Sequence, residues 1–377
     1  MAVPDREPLT AELAALFRSG GEAFRDDREF DRMALRVHAA QRATNPTLRR
    51  YWDAMAGARP TSWHEIHPVP VAAFKDGPIV SGGAEIVFRT SGTTAGTSRR
   101  GEHHVASLDL YLAAARANYR RHLFADCGVE PGTLRLALVS LVPRPEDAPD
   151  SSLSAMAGFI AREPEVAKTT WAFHPERGVD AEAFVEAVAS ADEPVLLLTT
   201  AFALVQLLDG LGQVRLSLPG GSRIMETGGF KGRVAEVDRA TLYARVSERL
   251  AVSASLVVNE YGMTEMLSQA YDGVAGRAGP ALEREHRFPP WVRTRALHPA
   301  DLAPLPPGEP GLLAHFDLAN AASVCHILTE DLGCMTEGGG VRLVGRAPGA
   351  RPRGCSLAAE TFLLVTRGST LSAGGTR

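Results

Sequence analysis

The chain has 377 residues, with 40 Lys+Arg against 44 Asp+Glu, a formal net charge of −4, 45% hydrophobic and 22% charged residues. This is the composition of a globular chain with room for one large domain or two to three modest ones, and it excludes wholesale disorder, collagen and coiled coil. The charge balance has no basic field of the kind nucleic-acid binding needs, and no window approaches about 18 uninterrupted apolar residues, so neither nucleic acid nor membrane is an expected partner.

Apolar residues recur at helical spacing through LTAELAALF and again from Phe30 to Val37, and Asn45 with Pro46 opens a further helix, so 1–57 reads as a helical segment. The N-terminus has no apolar stretch of signal-peptide length. After a Pro-rich connector (PVPVAAF), AEIVFRT at 84–90 reads as a strand, and the SGTTAGTS after it is a loop. An amphipathic helix over 107–124 and a buried strand, LRLALVSLV at 134–142, follow.

Helices and strands then alternate. A helix near 180–190, the strand PVLLLTT at 194–200, a helix to Leu211, a strand ending near Glu226, a helix over 238–250 and the strand ASLVVNE at 254–260 come in turn. That alternation predicts an α/β fold with a mostly parallel, helix-covered sheet. From Pro289 the texture changes to short segments that read as antiparallel strands (PWVRTRAL, GLLAHFDL, SVCHILT, VRLVG). The last dozen residues are expected to form a floppy tail, and there is no internal repeat. The expected organisation is therefore a helical segment 1–57, a core 58–345 and a short C-terminal segment 346–377.

Cys127, Cys325, Cys334 and Cys355 form no CxxC pair and no zinc spacing, so free thiols in a reducing cytoplasm are expected. The only lysines are Lys75, Lys168 and Lys231.

Two stretches carry chemistry. TSGTTAGTSRR at 90–100 follows a strand directly. Its glycines let backbone N–H groups turn inward, its hydroxyls add donors and its arginines add charge, which is how a loop holds a polyphosphate. It lacks the lysine of a GxxxxGK[ST] loop, and a solvated hairpin turn is the alternative reading. VNEYGMTE at 258–265 ends a strand, where ligands sit in open α/β sheets. Tyr261 offers a flat face to a purine and Glu265 a hard oxygen ligand to Mg²⁺; a plain surface turn is the alternative.

In this order, the TSGTT loop and the YGMTE strand end resemble the adenylate-forming ligases. PRPEDAPDSSLSAM (143–156), ETGGFKGR (226–233), NEYGMTEMLSQ (259–269) and RPRGCSL (351–357) resemble, more narrowly, the acyl-protein synthetases of bacterial bioluminescence. These are the LuxE-like long-chain-fatty-acid–luciferin-component ligases. The resemblance runs from about Arg49 to Phe362, and the first fifty residues carry little of it.

The resemblance implies an adenylate-forming ligase fold with a large N-terminal region and a short, truncated C-terminal subdomain. It implies ATP and Mg²⁺ as cofactors and a carboxylic acid, fatty or aryl, as substrate. The acyl-adenylate would pass its acyl group to Cys355 and then to a partner acyl reductase, LuxC-like and NADPH-dependent. Ser91, Gly92, Thr93, Thr94 and Gly96 would wrap the β- and γ-phosphates, with Thr90 at the start of that loop. Gly228 and Gly229 would lie against the adenine, Tyr261 would stack on it, and Glu260 and Gly262 belong to the same strand end. Thr264 would help hold the α-phosphate and Glu265 would carry Mg²⁺. Asp331 would grip the ribose hydroxyls, and Arg346 matches the arginine that follows it. Arg351 and Arg353 stand close to Cys355, and neighbouring cations lower a thiol pKa; buried structural thiols are the reading for Cys127, Cys325 and Cys334.

Two departures stand out. The loop reads SGTTAG where SGTTG is commoner, and no lysine follows Lys231, so the lysine many such ligases carry near the C-terminus is missing. Lys231, with Arg233 or Arg346, is then the candidate cation for the developing charge. His103 and His104 read as a paired exposed histidine, with a place in the carboxylate pocket as the alternative. The rival functions are an acyl- or aryl-CoA ligase of the phenylacetate type and a non-catalytic subunit of a reductase complex.

Overall fold

The computed structural model describes residues 6–55, 59–90, 99–128, 130, 132–228, 238–346 and 353–366. No helix among them is long and apolar enough to cross a membrane. The chain divides into two compact units: unit 1 comprises Met1–Ala114, Thr264–Ser268 and Phe288–Arg377, and unit 2 comprises Ala115–Met263 and Gln269–Arg287.

Unit 1 begins with α1 (Arg6–Arg18), α2 (Asp27–Thr44) and α3 (Pro46–Met55). Asp26 caps α2 by accepting from the Glu29 N–H at 3.0 Å. Asn45 ends α2 and starts α3, its Oδ1 accepting from the N–H groups of Thr47 (3.0 Å) and Leu48 (3.1 Å). The two-residue strand β1 (Val69–Pro70) is followed by an antiparallel hairpin of β2 (Ile86–Arg89) and β3 (Glu102–Val105). Helix α4 (Leu108–Leu123) carries the chain into unit 2.

Unit 2 holds β4 (Leu136–Ser140), α5 (Ser152–Ile160), β5 (Val166–Trp171), β6 (Phe173–His174), β7 (Gly178–Val179), α6 (Ala181–Ala189), β8 (Val195–Thr200), α7 (Ala201–Gly210), β9 (Arg223–Thr227), α8 (Arg239–Leu250), β10 (Val257–Tyr261) and β11 (Ala270–Tyr271). Its six-stranded sheet has the order β11-β10-β9-β8-β4-β5, with only β11 antiparallel. β4, β8 and β9 are buried at nearly every position, as strands covered on both faces must be. Leu197, Leu204, Leu207, Ile224, Leu242 and Val246 pack α7 and α8 onto this sheet. From β4 the chain moves to one side for β5, then returns to the other for β8, β9 and β10. The reversal point is therefore at the carboxyl ends of β4 and β8, where doubly wound sheets open a ligand crevice.

The chain returns to unit 1 with β12 (Val292–Leu297), β13 (Gly311–Asp317), β14 (His326–Met335), β15 (Val341–Arg346) and helix α9 (Arg353–Thr366). β12 to β15 pair antiparallel in sequence order, and β1 adds in parallel beside β14. α9 packs against α3 and β1, with Phe362 5.3 Å from the Tyr51 ring, and Ala358 joins Leu297, Leu312, Ala314 and Leu328 in one apolar cluster. The backbone of the candidate acceptor Cys355 belongs to the first turn of α9, and the tail expected beyond Thr366 lies outside the described residues.

Candidate functional site

In unit 2 the motif residues sit at the carboxyl ends of β9 and β10. Thr227 and Glu260 are paired across these parallel strands, and the Thr227 hydroxyl donates to the Glu260 carboxylate. Glu260 is 5% exposed, and burial pushes its carboxyl up to about 7 against the opposing Thr227 bond, with the nearby Glu226 adding to the rise. It folds over Gly262: a Cβ there would come 2.3 Å from Glu260 Oε1. A larger residue at 262 would have to displace the Glu260 carboxyl. Gly228 is required by conformation, with φ +76° and open space where its Cβ would stand. The Tyr261 ring meets His286 edge-on, centroids 5.9 Å apart.

Beneath this strand end lies a closed polar network. Asn259 Nδ2 donates to Glu226 Oε1 at 2.6 Å, Tyr243 donates to the same oxygen at 2.9 Å, and the Asn259 N–H donates to Asp272 Oδ1 at 2.7 Å. Asn259 Oδ1 accepts from Arg239 at 3.0 Å and faces His286 Nε2 at 2.6 Å. Burial pushes Glu226 up to about 7, with Arg239 as the main opposing influence. Such a network fixes the register of β10 on β9 and hence the place of Glu260 and Tyr261.

In unit 1 the segment Thr264–Ser268 is held through its own backbone. The Thr264 carbonyl faces His103 Nδ1 at 2.8 Å. A carbonyl only accepts, so Nδ1 carries the proton, and Nε2, 2.8 Å from Ser323 Oγ, accepts from that hydroxyl. Asn320 Nδ2 donates to the Glu265 carbonyl at 2.8 Å, and its Oδ1 accepts from the Leu267 N–H at 3.0 Å. Asp317 accepts from the Ser268 N–H at 3.0 Å and from its hydroxyl at 2.8 Å, and Trp291 donates to Ser268 Oγ at 2.9 Å. His103 is fully buried, which corrects the expectation of an exposed histidine pair. Burial pushes its imidazole down to about 4, the Thr264 carbonyl opposing and His104 assisting, so the ring is neutral.

Glu265 is 8% exposed. Arg346 donates to Asp331 Oδ1 at 3.0 Å, these two residues being paired across β14 and β15. Burial works against the Arg346 charge, but Asp331, Glu330 and Glu265 outweigh it and hold the guanidinium above its ordinary pKa. Glu265, Asp331 and Arg346 are thus brought into one electrostatic neighbourhood. Among the described residues no group of three or more His, Cys, Asp or Glu could hold a metal ion unaided. One carboxylate fits Mg²⁺ nonetheless, because that ion keeps its waters and takes most of its remaining oxygens from substrate phosphates.

Thr90 closes the stem of the hairpin: its N–H donates to the Gly101 carbonyl and its Oγ1 accepts from the Gly101 N–H, each at 3.0 Å. Ser91, Gly92, Thr93, Thr94 and Gly96, which join β2 to β3, lie outside the described residues, as do Gly229, Lys231 and Arg233. Cys355 is described through its backbone, in α9. Of the other cysteines, Cys325 is buried and its thiol is pushed up by burial, and burial pushes Cys127 up to about 12, so both are poor nucleophiles.

Sequence reasoning missed Thr227, Asp317, Asn320 and Gln41. Asn320 and Asp317 act on backbone about fifty residues away, and no local pattern marks that. Gln41 does leave a signal. It sits in a buried stripe with Phe30, Ala34 and Val37 on α2, where a polar residue must have partners.

Residues 181–363 match the family model described as "Acyl-protein synthetase, LuxE". The chain is 36% identical over 81 residues to a long-chain-fatty-acid–luciferin-component ligase of Vibrio harveyi, and 37% identical over 83 residues to one of Aliivibrio fischeri. These matches span 21% and 22% of the two relatives and 20% of this chain in each case. Among solved structures, an open conformation of 2-hydroxyisobutyryl-CoA ligase in complex with 2-HIB-AMP and CoA is similar at a TM-score of 0.58 and 15% identity, over 85% of this chain and 76% of that one. The same ligase in its postadenylation state gives the same TM-score over 84% of this chain. The fold is that of the adenylate-forming ligases, and residues 181–363 carry the pattern of the LuxE acyl-protein synthetases.

Proposed function

We propose that this chain activates a carboxylic acid with ATP and passes the acyl group through Cys355 to a partner acyl reductase. The observation that carries this reading is the pairing of Arg346 with Asp331 across β14 and β15 in unit 1, together with the Glu265-bearing segment whose backbone His103, Asn320 and Asp317 hold. It has the charges a nucleotide's ribose, phosphates and metal require.

In the first step a carboxylate oxygen attacks the α-phosphorus of ATP, forming the acyl-adenylate and expelling pyrophosphate. Asp331 would hold the ribose hydroxyls, Thr264 the α-phosphate, and the 91–96 loop the β- and γ-phosphates. Mg²⁺, carried by Glu265, would supply charge neutralisation of the phosphates. Two anions meet in this step, and preorganised cations lower its barrier; Lys231 and Arg346 are assigned that work. The base would lie between Tyr261 and the backbone at Gly228 and Gly229, with Glu260 and Gly262 shaping the strand end. The acid would enter the crevice at the carboxyl ends of β4 and β8.

In the second step the Cys355 thiolate attacks the acyl carbonyl carbon, the thioester forms and AMP leaves. Arg351 and Arg353 stand close to Cys355 in the sequence, and neighbouring cations favour a thiolate. The acyl group then moves to a LuxC-like, NADPH-dependent reductase, which makes the aldehyde.

The test is intact-protein mass after incubation with ATP, Mg²⁺ and a panel of fatty and aryl acids, with Cys355→Ser alongside. A hydroxylamine-labile acyl adduct on the wild type alone supports the reading and names the acid class. Pyrophosphate release without an adduct moves the acceptor to CoA or to a thiol of the partner. No acid-dependent pyrophosphate release at all sinks the adenylation reading.

A further inference from the structure

The segment that carries Glu265 is tied to the N-terminal helices, which lie outside the matched family region 181–363. Gln41 on α2 is 0% exposed. Its Nε2 donates to the Asn320 carbonyl at 2.7 Å and to the Ala321 carbonyl at 3.0 Å, and its Oε1 accepts from the Cys325 N–H at 3.3 Å. Both amide protons are committed, so the rotamer is fixed and so is the turn at 320–325. Asn320, also 0% exposed, is held in the same way. Its Nδ2 donates to Val324 O at 2.9 Å and Glu265 O at 2.8 Å, and its Oδ1 accepts from Leu267 N. Two amide side chains in series therefore connect α2 to the peptide that bears Glu265, and every residue in the chain of contacts belongs to unit 1.

We propose that α2 is a working part of the nucleotide site, with Gln41 a positioning residue that acts through Asn320 to fix the Glu265 carboxylate for Mg²⁺. The inference rests on the reading of Glu265 given under the proposed function. Gln41 touches no reacting atom. Its effect is to hold the geometry of Asn320, and outer partners of this kind typically change metal affinity by about 10–100-fold when removed.

This makes a distinction that overall stability does not. Loss of Gln41 weakens the metal-dependent part of nucleotide binding and leaves the metal-independent part alone. Met33 provides the comparison: it is buried on the same helix and is not among the residues of the Gln41–Asn320 relay. Met33→Ala destabilises α2 by cavity formation without touching the relay.

The experiment is isothermal titration calorimetry of ATP, with saturating Mg²⁺ and again with EDTA, on the wild type, Gln41→Met, Asn320→Asp and Met33→Ala. Folding is checked by circular dichroism and melting temperature. The expected result is that the ratio of Mg²⁺-ATP affinity to free ATP affinity falls about tenfold in Gln41→Met and in Asn320→Asp, and is unchanged in Met33→Ala. Asn320→Asp keeps the acceptor for Leu267 and the side-chain size, so it carries the test should Gln41→Met fail to fold. An unchanged ratio in the folded relay variants overturns this inference alone, as does an equal fall in Met33→Ala. A wild type that binds ATP no better with Mg²⁺ than without overturns the Glu265 reading beneath it.

Discussion

His103 Nδ1 lies 2.8 Å from the Thr264 carbonyl, with Ser323 Oγ at the same distance from Nε2. The histidine that follows the Thr/Gly loop thus holds the start of the segment carrying Glu265, and it does so as a neutral donor and acceptor. His103→Leu takes the partner from a part-buried carbonyl and a buried hydroxyl, so it is expected to cost about 2–5 kcal/mol. His103→Gln can donate to one and accept from the other and should recover at least half. The pH dependence has a definite sign. The folded ring titrates near 4, below the ordinary 6.5 of the unfolded chain, so its contribution is full above 6.5 and is lost as pH falls toward 4. Denaturation of wild type and His103→Gln at pH 7.5 and 5 should show the wild type losing more; equal losses would mean the ring is charged in the fold.

Glu260 runs the other way. Its carboxyl titrates near 7 in the fold and near 4.5 unfolded, so the folded chain binds a proton that the unfolded chain does not between those values. Its contribution is full below 4.5 and is lost as pH rises through 7. Glu260→Gln keeps the acceptor for Thr227 and removes the titration. The stability of Glu260→Gln relative to wild type should rise by roughly 2–3 kcal/mol from pH 4.5 to 8. A difference that stays constant with pH would place the carboxylate in an ordinary, solvated setting.

The parallel sheet was legible because its strands are apolar runs broken by helices with good caps: VLLLTT ends at Thr200, whose hydroxyl caps α7, and Asp238 caps α8 in the same way. α5 and β5 were not. SLSAMAGFI is apolar nearly all round and carries no stripe, and VAKTTW is an edge strand whose polar residues hide its period. The motif text located Thr264 and Glu265 but not what holds them. Asn320 reads as a turn residue until its bond to Glu265, 55 residues away, is seen. α9 carries apolar residues at 358, 359 and 362 on one face, a helical period that the nearby Gly354 and the polar tail obscure in the sequence.

Gly262 gives a prediction in which two errors cancel. A methyl group there would stand 2.3 Å from Glu260 Oε1, with only an ordinary 3.5 Å contact to Gln269 Cγ. Gly262→Ala alone should destabilise by about 1–3 kcal/mol through overpacking. In a Glu260→Ala background the same change should cost less than about 0.5 kcal/mol, because the clashing oxygen is gone. The double-mutant cycle from urea denaturation reads this coupling directly. Additive losses would mean that the glycine is needed for backbone freedom and not for the space the carboxyl occupies.

Arg346 and Asp331 separate a structural role from a chemical one. The side chains are 57% and 13% exposed, and an ion pair of that kind contributes at most about 1 kcal/mol to stability. Arg346→Ala should therefore melt close to wild type. If its guanidinium offsets charge during adenylation, acid-dependent pyrophosphate exchange should nonetheless fall by about 10²–10³-fold, the loss seen when one preorganised donor is removed from a developing anion. Asp331→Ala should raise the KM for ATP more than it lowers kcat, since ribose hydroxyls are bound alike before and during the reaction. A large fall in melting temperature with an unchanged rate per folded molecule would make the pair a clasp between β14 and β15, and would leave Lys231 and Arg233 as the candidate adenylation cations.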